Sequence, residues 1–256
     1  MVLAADALAN RTVLLTGASG SIGSATAATL GAAGATVIAQ YRSQPEALLR
    51  ALSAVPADRQ HLVGGDLGTP ESARKIWRDA ESLKPVDVLV LNAAAIPQSP
   101  MNGSDAEWDA GWEEAMRVNV IGAGALLREA VRCFADRGGG TVVAVSSWAA
   151  EQGSRILDVS AYAASKAALR NLAQTVARNY ARAGVQVHVV APGVVDGGMG
   201  TAGQDDATVR SVADGLAMGR HVGVQEVAEL ISFLASGACP SLTGGTVDLN
   251  GASYIR

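Results

Sequence analysis

The chain has 256 residues, 49% of them hydrophobic and 17% charged, with a formal net charge of −4. That length and apolar content suit one large α/β domain with a well-buried core. Acids and bases are interspersed, so no basic stripe follows a phosphate backbone and no nucleic-acid partner is expected.

Cys133 and Cys239 lie far apart and outside any C-x-x-C pair or His-containing cluster. Reduced thiols, a cytoplasmic setting and no metal site are the simplest expectation. The first eleven residues carry no basic stretch followed by an apolar one, and no run approaches the length of a membrane span. No membrane partner is expected, and residues 1–10 read as a flexible N-terminus.

Residues 12–16, Thr-Val-Leu-Leu-Thr, form a β-branched apolar run that breaks into Gly17-Ala18-Ser19-Gly20-Ser21-Ile22-Gly23, followed by an alanine-rich helix over 22–34. Strand, glycine turn and helix is the context of a dinucleotide site: glycines let the backbone approach a pyrophosphate, and a helix N-terminus offers free N–H groups. Residues 35–40 predict a second strand, ending in Tyr41-Arg42-Ser43 where the adenosine ribose would lie. A carboxylate there would repel a 2′-phosphate, whereas arginine accommodates it. With no acid present NADP is favoured and NAD is the alternative; the plain reading of Arg42 is a solvated surface charge.

A helix near 45–55 and a strand near 61–64 lead to Asp66-Leu67. Asp66 either reaches the adenine amino group or caps the helix that follows Pro70. After a helix over 72–83, residues 86–91 form an apolar strand of the kind buried on both faces, ending in Asn92-Ala93-Ala94, whose small side chains leave room for a cofactor. A long helical region over 105–136 carries Asn119 among apolar neighbours, as a buried structural hydrogen-bonder or as a functional group. The next strand, 141–145, ends in Ser146-Ser147, at the sheet edge where open α/β folds place their ligands.

The helix predicted over 159–183 carries Tyr162 and Lys166, four residues apart on one face. A cation near a phenol favours phenolate and lowers its pKa, which makes the pair a candidate proton donor and acceptor. A strand over 185–190 leads to Pro192-Gly193 and a glycine-rich stretch within a loop over 196–222, either a segment that closes over a site or a surface connection. His188, alternating inside that strand, reads as a core residue. A helix over 226–236 and a strand over 245–250 complete the alternation. The fold class is α/β: a doubly wound parallel sheet of Rossmann type, in a single domain over 1–256.

Taken together, Thr16-Gly17-x-x-x-x-x-Gly23, Asp66-Leu67, Asn92-Ala93-Ala94, Asn119, Ser147, Tyr162-x-x-x-Lys166, Pro192-Gly193, Gly219-Arg220, Thr243-Gly244 and Asp248 resemble the short-chain dehydrogenase/reductase family in its compact single-domain branch. The resemblance implies Tyr162 as the proton donor or acceptor. Lys166 would lower its pKa and bind the nicotinamide ribose, Ser147 would hold the substrate oxygen, and Asn119 would hold a water linking Lys166 to solvent. It places the cofactor on Gly17, Ser19, Ser21, Ile22, Gly23, Arg42, Asp66, Leu67, Asn92, Ala93, Ala94, Tyr162, Lys166, Pro192, Gly193 and Val195. Ile96, Trp148, Val194 and Met199 would stand near the substrate, suiting an apolar or cyclic ketone or alcohol. Relatives in this branch are often tetramers, so a homotetramer or homodimer is expected.

The sequence departs from the family at several points. Its glycines read Gly17-x-x-Gly20-x-x-Gly23, a spacing that resembles the longer sugar-nucleotide-modifying branch. Gly20 stands where many NADP-dependent members carry a basic residue, Ala94 follows Asn92-Ala93 where glycine is usual, and Gly197 replaces a threonine. The segment from Ser147 to Tyr162 is about two residues longer than usual, which keeps Ser146 as a second candidate serine. The expected activity is hydride transfer between NADP(H) and a carbonyl or secondary alcohol. The alternatives are a sugar-nucleotide epimerase or dehydratase, or a non-catalytic dinucleotide sensor.

Overall fold

The computed structural model describes residues 4, 6–43, 45–53, 55–198 and 205–255. Its strands are β1 (Thr12–Leu15), β2 (Thr36–Tyr41), β3 (Gln60–Gly64), β4 (Val88–Leu91), β5 (Gly140–Val145), β6 (Val185–Pro192) and β7 (Thr246–Leu249). They form one parallel sheet in the order β3-β2-β1-β4-β5-β6-β7, with Leu14 paired to both Ile38 and Leu89 at its centre. This is the doubly wound arrangement, in which the order reverses between β1 and β4 and leaves a crevice at their carboxyl ends.

Both faces of the sheet are covered, and the period of two decides which side chain goes where. Leu14, Ile38, Leu89, Leu91, Val142, Val187 and Val189 point to one core, beneath α3 (Pro70–Leu83), α5 (Ala123–Asp136) and α7 (Ser160–Tyr180). Their immediate neighbours Val13, Leu15, Val37, Val88, Val90, Val143 and Val190 point to the other, beneath α1 (Ser21–Ala32), α2 (Pro45–Ala51) and α9 (Val224–Ala235).

In the N-terminal segment, Leu8 is fully buried in the second core and donates its amide to the Ala33 carbonyl at 2.8 Å. The helical region expected over 105–136 runs unbroken, α4 (Asp105–Met116) passing through a π-helical turn, Arg117–Gly122, centred on Asn119, into α5. Within the loop over 196–222, residues 206–214 form a helix, α8 (Asp206–Asp214), started by Asp205, whose carboxylate accepts the Thr208 amide at 2.8 Å. Such a side-chain cap satisfies a backbone donor that the helix start would otherwise leave open. The loop's two ends are joined by a bridge between Val195 and Val222. Met199 and residues 200–203 of the glycine-rich stretch lie outside the described residues.

The π turn is seated against the crevice through Gly122, where a Cβ would meet the Leu67 carbonyl oxygen at 1.8 Å. Gly122→Ala is therefore expected to lower unfolding free energy by about 1–3 kcal/mol, measured by urea denaturation, and to weaken dinucleotide binding through displacement of Leu67. An unchanged denaturation midpoint and affinity would contradict this seating.

Candidate active site

A cleft of about 570 Å³ runs along the carboxyl edge of the sheet. Its floor begins at the turn after β1. Gly17 has φ +63, a conformation glycine adopts without cost, and a Cβ there would fall 2.7 Å from the Ala93 Cα. A Cβ at Gly23 would fall 2.2 Å from the Gly17 carbonyl oxygen. Helix α1 starts at Gly20 without a side-chain cap and without an acid in its first turn, so its leading N–H groups are left to an anionic ligand.

The turn is held from three sides. The Thr16 hydroxyl donates to the Val90 carbonyl at 3.1 Å and accepts the amides of Asn92 and Ala93 at 3.0 and 3.1 Å. Asn92 Nδ2 donates to the carbonyls of Thr16 and Gly17 at 3.0 and 3.1 Å. Gln40, buried at the end of β2, accepts the Gly17 amide on Oε1 at 2.8 Å and donates from Nε2 to the Gly65 carbonyl at 2.6 Å. Sequence reasoning passed over Gln40. Its signal was there, an amide inside the strand Thr-Val-Ile-Ala-Gln-Tyr, since a buried polar side chain is retained when it is hydrogen-bonded.

These contacts test the site against a dinucleotide, and the residues fit: backbone approach is kept open at Gly17 and Gly23, an uncapped helix start faces the cleft, and small residues follow β4. Of the predicted cofactor residues, Gly17, Ser19, Ser21, Ile22, Gly23, Arg42, Asp66, Leu67, Asn92, Ala93, Ala94, Tyr162, Lys166, Pro192, Gly193 and Val195 all line the cleft. Arg42 is exposed at the end of β2. Asp66 does not cap α3; Thr69 does, accepting the Ser72 amide, while Asp66 accepts the Gly68 amide at 3.0 Å in a turn of its own.

At the other end, Ser147 and Tyr162 meet beside Lys166. Tyr162 reaches the cleft from the first turn of α7, and its phenol and the Ser147 hydroxyl share a hydrogen bond. Ser146 is directed elsewhere: its hydroxyl donates to the Lys166 backbone carbonyl at 3.0 Å. Lys166 is almost fully buried, its Nζ donating to the Val145 carbonyl at 2.8 Å and lying 5.9 Å from the centre of the Tyr162 ring. Burial pulls its pKa down to about 8. Burial also raises the Tyr162 phenol above its ordinary value, with the Ser147 hydrogen bond opposing. This differs from the expected lowered phenol: desolvation outweighs the Ser147 hydrogen bond, while the Lys166 ammonium donates to a backbone carbonyl.

Asn119 does not line the cleft. Its side chain accepts the Ala95 amide at 2.8 Å and donates to the Ala95 carbonyl and the Ser165 hydroxyl, both at 2.9 Å. It thus ties the segment after β4 to α7, one residue before Lys166. His188 is buried within β6, as a core residue would be, its Nε2 3.4 Å from Gln186 Oε1, and burial lowers its pKa. Ile96, Trp148 and Val194 line the cleft, while Met199 lies outside the described residues. The sequence did not point to Ser154, Arg155 and Ile156, or to Ser211, Val212 and Leu216 in and just after α8, as further lining residues.

Among the described residues, no group of three His, Cys, Asp or Glu could hold a metal ion, and no helix is long and apolar enough to cross a membrane.

Comparison with known proteins agrees with this geometry. A sequence model described as short chain dehydrogenase matches residues 11–208. The chain is 32% identical to a cis-4-hydroxycyclohexanecarboxylate dehydrogenase of Sinomonas cyclohexanicum, over 96% of this chain and 97% of that one. It is 31% identical to a 3-oxoacyl-[acyl-carrier-protein] reductase of Escherichia coli, over 94% and 96%. A crystal structure of a 3-oxoacyl (acyl-carrier-protein) reductase from Agrobacterium tumefaciens with NADP bound superposes with a TM-score of 0.85 at 31% identity, covering 95% of this chain and 94% of that one.

The buried ammonium makes a prediction for stability. Because the Lys166 pKa is lower folded than unfolded, the unfolded chain binds more protons above pH 8. The penalty for burying the charge is therefore complete below pH 8 and is relieved as pH rises towards the unfolded value. Unfolding free energies of the parent and Lys166→Met should converge or cross over that window, the parent gaining on the variant. Parallel profiles from pH 7 to 10 would show that Lys166 is not desolvated.

Proposed function

The chain belongs to the short-chain dehydrogenase/reductase family, as an NAD(P)-dependent enzyme acting on CH–OH groups, and from that premise we propose that it moves a hydride between NADP(H) and a carbonyl or secondary alcohol of an apolar or cyclic small molecule. The observation that carries the reading is the Ser147–Tyr162–Lys166 cluster at the end of a cleft whose other end is the Gly17 cradle.

In this reading Gly17, Ser19, Ser21, Ile22 and Gly23 hold the pyrophosphate. Arg42 faces the 2′-phosphate, Asp66 and Leu67 the adenine, and Asn92, Ala93, Ala94, Pro192, Gly193 and Val195 the nicotinamide half. A bound nicotinamide supplies or takes up the hydride. The chain's own part is protonic and electrostatic. Ser147 donates to the carbonyl oxygen, where negative charge develops during reduction, and Tyr162 delivers the proton to the same atom. Its raised pKa keeps the phenol protonated at neutral pH, the state a donor needs. Lys166, whose pKa of about 8 leaves it mostly charged at pH 7, stabilises the phenolate formed as the proton leaves. Asn119 is a positioning residue, fixing Ala95 against Ser165 beside the catalytic lysine.

NADP is preferred over NAD because Arg42 is the charged residue at the end of β2 and no acid accompanies it in Tyr41-Arg42-Ser43. The apolar or cyclic substrate is supported by Ile96, Trp148 and Val194 on the cleft wall and by relatives named for a cyclohexane alcohol and for 3-oxoacyl chains. The same reading takes the protein as cytoplasmic and as a homotetramer or homodimer, the oligomer being favoured by the exposed Ile121 on the π turn between the long helices.

Two measurements test it. Tyr162→Phe should lower kcat for NADPH-dependent ketone reduction by a factor of about a hundred or more while NADPH affinity, read by fluorescence titration, stays near that of the parent. A kcat within tenfold would refute the assignment. Arg42→Glu should raise the KM for NADPH by more than about tenfold with little change for NADH, and an unaltered ratio between the two cofactors would remove Arg42 from the phosphate site.

A further inference from the structure

This inference rests on the oxidoreductase reading of the cleft and narrows its substrate. Four charged side chains line the cleft among the described residues: Arg42, Asp66, Lys166 and Arg155. The sheet order sorts them. Arg42 and Asp66 follow β2 and β3, on the adenosine side of the switch point, and Lys166 is buried with its Nζ on the Val145 carbonyl. Arg155 follows β5, on the substrate side, and nothing in the hydride-transfer chemistry uses it.

The segment that carries Arg155 is shaped to present it. The short helix α6 (Ala149–Gln152) ends at Gly153, whose φ of +78 turns the chain sharply. The Ser154 hydroxyl then accepts the Ile156 amide at 3.0 Å, closing a turn around Arg155. No carboxylate of the described residues pairs with its guanidinium: Glu151, the acid nearest before it in sequence, is engaged by Arg170 of α7. The other substrate-side lining is mainly apolar, with Ile96, Trp148, Ile156, Val194, Val212 and Leu216. An exposed arginine that lines an apolar chamber and has no carboxylate partner among the described residues suits one anionic group on an otherwise apolar ligand. Its planar fork matches a carboxylate in particular.

We infer that the substrate is an apolar oxo- or hydroxy-acid whose single carboxylate, placed away from the reacting carbon, is bound by Arg155. The carboxylate keeps the carbon skeleton against the apolar walls and so turns the reacting carbonyl towards Ser147 and Tyr162. This narrows the apolar or cyclic class proposed above to its monocarboxylates. It also gives a role to the extra length between Ser147 and Tyr162.

The test is a calorimetric titration of the full chain, in the presence of NADP, with 4-oxocyclohexanecarboxylate and with its methyl ester. The parent should bind the acid roughly tenfold more tightly than the ester, and the preference should shrink as salt is raised. Arg155→Gln should bring the acid-to-ester ratio close to one, and Arg155→Lys should retain part of it. Equal affinities in the parent, no measurable binding of either compound, or a preference that survives Arg155→Gln would overturn the assignment. NADPH turnover of both compounds is followed in parallel. Acid preference in binding without any turnover would support Arg155 and sink the hydride-transfer reading, whereas turnover of both compounds without acid preference would do the reverse.

Discussion

Everything at the cofactor end depends on the contact between Gly17 and Ala93. The turn after β1 passes so close to the segment after β4 that a single methyl group would collide with backbone there, and it does so in a conformation available at low cost only to glycine. Such a turn has few backbone partners of its own, and its surroundings supply them: Asn92, just after β4, donates to the Thr16 and Gly17 carbonyls and Gln40 of β2 accepts the Gly17 amide, while the Thr16 hydroxyl in turn accepts the amides of Asn92 and Ala93. Because Gln40 uses one end of its amide on Gly17 and the other on Gly65, the glycine turn after β1 and the loop after β3 are tied together through a single side chain. A buried amide satisfied at both ends is worth keeping, since losing either partner leaves a desolvated group behind.

The catalytic end is governed by desolvation. Burial pushes the phenol and the ammonium in opposite directions on the pH scale, and in both cases towards the uncharged form. At neutral pH this leaves a protonated tyrosine beside a lysine that still carries its charge, the combination that suits delivery of a proton to a carbonyl oxygen. The Val145 carbonyl fixes where that charge sits, and the Asn119 clamp on Ala95 and Ser165 fixes the backbone on either side of it. The π turn contributes by carrying Asn119 inward at the one point where the long helical region loses its regular repeat.

Legibility in the sequence followed the range of the interactions. The parallel sheet could be read because short, continuous apolar runs recur between helical stretches, and the Tyr162/Lys166 pair because helical spacing alone brings the two residues together. Gln40 and Asn119 could be seen only as polar residues in apolar company; their partners lie 23 to 25 and 24 to 46 positions away, beyond the reach of any local pattern. Helix α8 was hidden by the glycines before it, although Asp205 was an available cap. The choice between Ser146 and Ser147 was likewise not local. It follows from which hydroxyl meets the α7 carbonyl and which meets the phenol.

The glycine spacing shows how a motif misleads when its positions are treated as equal. Gly17-x-x-Gly20-x-x-Gly23 resembles the spacing of larger sugar-nucleotide enzymes, yet only two of its glycines are constrained. Gly17 and Gly23 are closed to any side chain by contacts under 3 Å. Gly20 has an ordinary extended backbone, φ −77 and ψ 170, and a Cβ there would meet only the Gly17 oxygen, at 3.5 Å. The middle glycine therefore marks no steric requirement, and its displacement by one position carries no message about the reaction. What Gly20 does is leave the start of α1 without a side chain, so that in the proposed NADP reading Arg42 would meet the 2′-phosphate with no second cation from the glycine turn beside it. Specificity for the cofactor would then fall on a single exposed guanidinium, while the fold of the turn is indifferent to the change.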